Sequence, residues 1–171
     1  MKLRLLNADH SVLGLLGALQ GYKTINACME DPIFVAYLRA FMDNEATPTL
    51  DKLEGIDLDK YKDSLEARFA NPNIKDSVSR ICPESSAKLP KFLFATLQEN
   101  LDNDQSIEFA TLVIAAWCYY SDKQVDKNGH LLKLSMLWAR NFTKQRKKPK
   151  QTLWRLSKKT LFLPALQKTN D

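Results

Sequence analysis

MKLRLLNADHSVLGLLGALQGY, residues 1–22, decides how the chain folds. Val12, Leu15, Leu16 and Leu19 recur at the spacing of one helical face. Three polar groups interrupt the leucines: Lys2, Asn7 and His10. Asn7 and His10 are i, i+3 neighbours on one helix face. Lys2 lies two turns from His10, about 80° round the axis of a continuous helix. The three can border one cleft. A lysine in a partly apolar cleft beside another potential cation has its pKa lowered and can act as a general base. An asparagine amide can donate to a developing alkoxide, and a histidine can orient a hydroxyl.

The same helical spacing continues outward. Asp31-Pro32 reads as an N-cap followed by proline at the first helical position, with Phe34, Leu38, Phe41 and Met42 on one side. Asp57 caps a helix through Tyr61, Leu65 and Phe69, which Asn71-Pro72 stops. Ile74, Val78 and Ile81 mark a short helix, and Phe92, Leu93, Leu97 and Leu101 another. Ser106 is the expected cap of FATLVIAAWCYY, a run apolar enough to be buried on most faces. Helices are predicted over 9–20, 32–47, 58–70, 88–101 and 106–120, with a further candidate at 131–142. Gly numbers only 5 in 171 residues, and no sustained alternation of period two occurs. The expected fold is an all-α bundle, with a helical domain at 1–143 and a divergent basic segment at 144–171.

Several function classes fall away. No G-x-G-x-x-G or G-x-x-x-x-G-K-[ST] occurs, so the usual nucleotide-binding turns are missing. No apolar run reaches the length of a membrane span. Asn7, Asp9 and His10 break the apolar region that a signal peptide needs. Ser85 and Lys88 form S-x-x-K, but the companion S-D-N and K-T-G elements of acyl-enzyme catalysts do not occur. His10, His130 and the three cysteines, Cys28, Cys82 and Cys118, show no zinc-ligand spacing, so no metal is expected. The cysteines read as reduced cytosolic thiols packed as small hydrophobes. His130 follows Asn128-Gly129, a turn, and is expected at the surface.

The net charge of +5 is lopsided. Residues 121–171 carry 13 Lys/Arg against 3 Asp/Glu, whereas residues 1–120 carry 12 against 17. The basic run from Lys144 to Lys159, with Trp154 inside it, could meet nucleic acid through phosphate contacts and base stacking. No recognised nucleic-acid motif accompanies it, and a solvated tail is the preferred reading.

K-L-R-L-L-N-A-D-H-S at 2–11 resembles the signature that opens the C-terminal domain of the mannitol dehydrogenase family of long-chain polyol dehydrogenases. That family includes mannitol 2-dehydrogenases, fructuronate reductases (mannonate oxidoreductases) and tagaturonate reductases. G-Y at 21–22, A-C-M-E-D-P at 27–32, E-A-T-P-T-L at 45–50, R-F-A-N-P at 68–72, S-R-I-C at 79–82, S-A-K-L-P-K-F-L at 86–93 and A-A-W at 115–117 resemble it in order. The likeness covers roughly residues 2–130 and departs after Asn128-Gly129, where the family has Asp-Pro and this chain runs into L-L-K-L-S-M-L-W-A-R-N.

The resemblance implies a helical domain of the 6-phosphogluconate dehydrogenase C-terminal type. It implies Lys2 as the catalytic base, Asn7 as the holder of the reacting oxygen and His10 as the group that positions the substrate. It implies Arg80 and Lys88 as donors to the hydroxyls or far end of an open-chain sugar alcohol or of a hexuronate or hexonate. On their own, Arg80 and Lys88 would read as ordinary solvated charges. The cofactor implied is NAD(H) or NADP(H), bound in this family by a separate Rossmann domain that these 171 residues do not contain. The chain is accordingly expected to be a truncated, cytoplasmic part of an oxidoreductase, inactive alone. A non-catalytic remnant or interaction module of the same fold is the alternative, and a nucleic-acid-binding protein ranks below both. A Rossmann domain encoded beside it would separate the first two, and salt-dependent binding to DNA or RNA would establish the third.

Overall fold

The computed structural model describes residues 3–51 and 55–132. Met1–Ser135 forms one compact unit. Lys2, the helix candidate at 131–142 beyond Leu132, and the basic segment 144–171 lie outside the described residues. The described chain is all-α: it holds no strand, only isolated bridges at Thr24–Ser77 and Val125–Leu131.

A five-residue π-turn, Leu3–Asn7, leads into α1, Ala8–Gln20. The expected apolar stripe is only part of what α1 buries. Leu13, Gly14, Gly17 and Ala18 are buried as well as Val12 and Leu15, while Leu16 and Leu19 stay half-buried. The reason is steric. A Cβ at Gly14 would sit 2.7 Å from Ile81 Cγ2, and one at Gly17 would sit 2.5 Å from Cys28 Sγ. Neighbouring segments therefore press against α1 on faces where a larger residue could not pass. Gly21 ends the helix at φ 84, its amide donating to Ala18 O, a conformation glycine adopts without penalty.

The helices around α1 start where their caps dictate. Thr24 caps α2, Ile25–Met29. Asp31 caps α3, Pro32–Phe41, with its Oδ1 accepting the Ile33 amide at 2.9 Å, and Phe34, Leu38, Phe41 and Met42 are all buried. The expected helix to residue 47 continues as a π-turn, Met42–Ala46, and a 3₁₀ turn, Thr47–Thr49. Asp57 caps α4, Leu58–Ala70, which matches the sequence expectation residue for residue. A charged seam docks α4 on α3. Buried Lys62 pairs with Asp43 and Asp59, and Arg39 reaches Asp63 at 2.7 Å and Asp43 at 3.0 Å. The short helix expected from Ile74 narrows to α5, Val78–Ile81, with Ile74 itself exposed.

The helix expected over 88–101 is two helices. They are α6, Ser85–Phe92, and α7, Phe94–Asp102, which meet at Leu93. Pro90 lies inside α6 and removes one rung of its ladder, but the break falls three residues later at Leu93 (φ −110, ψ −42).

The last helix, α8, runs from Glu108 to Lys123 and packs against α1 and α3. Its cap is not the expected Ser106, which lies before the non-helical Ile107 with Oγ 3.5 Å from the Glu108 amide. The fully buried Glu45, from the second π-turn, takes that role across 64 residues. Its carboxylate accepts the Phe109 amide at 2.7 Å and the Ala110 amide at 2.8 Å. These amides have no partner inside the helix, and the negative charge sits at the positive end of the helix dipole. Asn100 fixes the same turn by donating to the Glu45 carbonyl at 3.0 Å. Nor is α8 buried on most faces, because Leu112, Cys118 and Tyr119 are exposed.

Gln has one acceptor oxygen where Glu has two, so Glu45→Gln leaves one of the two buried amides facing an NH2 group. Chemical denaturation of the chain at neutral pH should show a loss of about 1–3 kcal/mol. An unchanged midpoint would mean that water takes over the cap.

Candidate functional site

The first turn of α1 carries His10, whose side chain is 19% exposed. Phe69, at the end of α4, meets the imidazole edge-on with centroids 4.8 Å apart and planes at 77°. The Leu6 carbonyl hydrogen-bonds the ring. On the far side Nε2 lies 3.4 Å from Asp76 Oδ2. Burial pushes the His10 pKa below its usual value, and the Asp76 carboxylate pulls it part of the way back. A crevice of about 10 Å³ beside the ring is lined by Asn26, Arg68, Asn71 and Asp76. It holds no more than about one water.

Asp76 reaches in both directions. Its Oδ1 accepts the Arg80 guanidinium, from α5, while Oδ2 faces His10. His10 and Arg80, seventy residues apart in sequence, thus share one carboxylate. Arg80 keeps a 66% exposed side chain. Lys88, on α6, donates from Nζ to the carbonyl of Ile81, the residue after Arg80, at 2.9 Å. Both cations therefore gather on α5, and α5 and α6 both pack against α1.

Asn7 ends the π-turn, its carbonyl accepting the Ser11 hydroxyl at 3.1 Å. Its side-chain amide makes no hydrogen bond among the described residues. Single π-turns occur often at functional sites because they re-aim the residues they carry. Arg4 holds this one in place by donating to the Thr49 carbonyl and pairing with Glu99 of α7.

Sequence reasoning missed Asp76, Phe69 and the Arg4–Glu99 pair. The i, i+4 spacing of Asp76 and Arg80 was a visible sign of their pairing, but nothing local points Asp76 towards His10. Asp9 was missed too. It is fully buried, and neither carboxylate oxygen has a hydrogen-bond partner. Burial, helped by the nearby Glu66 charge, holds its pKa well above the usual carboxylate range.

The remaining sequence candidates are ordinary. Ser85 donates to the Cys82 carbonyl at 2.6 Å, so S-x-x-K is spent on backbone carbonyls by both members. His130 is 69% exposed and pairs with Asp126. Cys28 and Cys82 are buried, donate to α1 carbonyls at Leu13 and Gly14, and have thiol pKa values pushed up to about 12 by burial. Cys118, expected to pack inside, is exposed because it faces outward on α8. Among the described residues no three His, Cys, Asp or Glu side chains converge where they could hold a metal ion. No described helix is long and apolar enough to cross a membrane.

Among the described residues, the all-α unit brings His10, Arg80 and Lys88 to segments that pack on or belong to α1. The family model for the mannitol dehydrogenase C-terminal domain matches residues 1–170, and the chain belongs to that family. A mannitol dehydrogenase of Saccharomyces cerevisiae is 41% identical over 130 residues, 75% of this chain and 26% of that protein. A mannitol 2-dehydrogenase of Phaeosphaeria nodorum is 37% identical over 134 residues, 78% of this chain and 23% of that one. Among solved structures, Pseudomonas fluorescens mannitol 2-dehydrogenase, in ternary complex with NAD and D-mannitol, is similar with a TM-score of 0.78 and 42% identity, over 82% of this chain and 28% of that one. A substrate-free D-sorbitol dehydrogenase is similar with a TM-score of 0.75 and 25% identity, over 97% and 32%. The chain thus spans about a quarter of the length of the curated relatives it matches.

The raised pKa of Asp9 has a measurable consequence. Its folded-state value lies above its unfolded one, so folding binds a proton there. The cost of the buried carboxyl is absent below the unfolded pKa and grows as pH rises towards the folded one. Asp9→Asn should therefore gain stability relative to the parent as pH rises from about 4 to 8. Urea midpoints at the two pH values test this, and a gap that shrinks with rising pH would contradict it.

Proposed function

We propose that the chain is the substrate-binding and catalytic-base domain of an NAD(P)-dependent oxidoreductase that interconverts an open-chain polyol or sugar acid and its keto form. The polyol is the favoured substrate. The observation that carries this reading is the gathering of His10, Arg80 and Lys88 around α5 and the first turn of α1, next to the π-turn that ends in Asn7. These are four of the five residues that the family signature selects.

In this reading Lys2 takes the proton from the alcohol during oxidation and returns it during reduction. Asn7 donates its amide to the reacting oxygen as charge develops there. His10, half-buried and with its pKa lowered by desolvation, offers its ring to a hydroxyl of the chain. Arg80 and Lys88 donate to the distal hydroxyls. A nicotinamide cofactor supplies the hydride acceptor in such chemistry. The described residues present no glycine-rich strand-to-helix turn to hold one, so none of them is assigned to it. That role falls to a nicotinamide-binding domain outside these 171 residues. The free thiols of Cys28, Cys82 and Cys118 suit a reducing compartment, and the cytoplasm is the proposed location.

The test is a fusion of the chain to a family nicotinamide-binding domain, assayed with D-mannitol, arabinitol and D-mannonate. The fusion should oxidise D-mannitol where the chain alone does not. Lys2→Ala in the fusion should lower kcat by about 100-fold or more, the usual contribution of a positioned base. Oxidation of mannonate alone would overturn the polyol preference. Undiminished turnover by Lys2→Ala would overturn the assignment of the base.

A further inference from the structure

Asp76 belongs to no part of the reading above, yet it is the residue on which two of the site side chains meet. Its backbone is fixed independently of its side chain. The Asp76 carbonyl accepts the Ile25 amide at 2.9 Å, and the adjoining Ser77 bridges Thr24. The carboxylate, 22% exposed, is thereby held at the mouth of the crevice beside His10. One oxygen faces His10 Nε2 and the other accepts from Arg80.

We propose that Asp76 is the positioning and specificity-setting residue of this site, locking His10 and Arg80 to each other and turning the pair towards an uncharged polyol rather than a sugar carboxylate. This rests on the substrate reading given above.

The physical argument has two parts. First, the imidazole stands between two acceptors, the Leu6 carbonyl and Asp76, which fixes the ring plane and makes the two nitrogens unequal. At 3.4 Å the His10–Asp76 contact is longer than a charge-assisted hydrogen bond. A substrate hydroxyl can take its place between the two without dismantling the site. Second, an arginine clamps a carboxylate best with two parallel N–H groups of its planar fork. In this chain Asp76 already occupies one terminal nitrogen of Arg80. A sugar carboxylate arriving there would share the guanidinium with a fixed carboxylate of the same charge. A polyol hydroxyl meets no such repulsion and can use the N–H groups that remain. The groups facing His10 are Asp76 from the segment before α5, Arg68 and Phe69 from α4, and the Leu6 carbonyl. Arg68 lines the crevice wall beside His10 and Asp76.

The experiment uses the whole 171-residue chain with ¹⁵N-labelled histidine, as parent, Asp76→Asn and Asp76→Glu. His10 is titrated by NMR, and D-mannitol and D-mannonate are then added as probes. Because Asp76 raises the His10 pKa, Asp76→Asn should move the His10 midpoint down and alter its nitrogen shifts, while Asp76→Glu should return them towards the parent. D-Mannitol affinity should fall on the order of tenfold in Asp76→Asn, the scale of one lost charge-assisted hydrogen bond. The ratio of mannonate to mannitol affinity should rise. A merely structural role would weaken both probes alike and would not move the His10 midpoint once the amide fingerprint of the fold is intact. Identical His10 titrations in the parent and Asp76→Asn, or an unchanged probe ratio, would overturn the proposal. If neither probe moves any resonance of the parent chain, the substrate reading is what fails, and the His10 titration still confirms or overturns the lock.

Discussion

The close approach of α5 and α2 to the face of α1 that carries Gly14 and Gly17 is the constraint on which the rest depends. With Ile81 Cγ2 and Cys28 Sγ inside the space a Cβ would need, α1 is buried nearly all round. That contact sets where α5 lies. The position of α5 in turn decides where Arg80 points and which carbonyl Lys88 can reach. Thiols placed against the Leu13 and Gly14 carbonyls complete the seam, since sulfur packs as a small hydrophobe and gives those carbonyls a weak donor. The site is thus a by-product of helix packing in its framework and specific only in its side chains.

Buried charge follows two different solutions in one small domain. Glu45 is desolvated but receives two helix-terminal amides, so its burial is offset by hydrogen bonds and by the dipole of α8. Asp9 is desolvated and receives none. Burial, with the nearby Glu66 charge, holds its pKa well above the usual carboxylate range.

The helices were legible in the sequence wherever capping chemistry and periodicity agreed. Asp31-Pro32 and Asp57 mark their own helices, and α4 came out residue for residue. Legibility failed where the determinant was distant. Ser106 is a reasonable local cap for α8, but a carboxylate 64 residues away takes the amides instead. The helix expected over 88–101 runs through Pro90 and breaks instead at Leu93, where the sequence carries no breaker. The π-turn at Leu3–Asn7 has no sequence signature, so the face geometry inferred from a continuous helix does not hold N-terminal to Ala8. Arg80 and Lys88 were singled out only through the family signature, because an arginine and a lysine on short polar helices look like any surface charge. Asp76 escaped even that, its link to His10 being wholly tertiary.

Native-state amide hydrogen exchange on the 171-residue chain tests most directly the claim that α1 is the core element. Amides from Val12 to Ala18 should exchange only through global unfolding, with protection equal to the full unfolding free energy of the domain. Faster exchange in α1 than in α3 or α4 would show that the bundle can open around it, and would contradict the account.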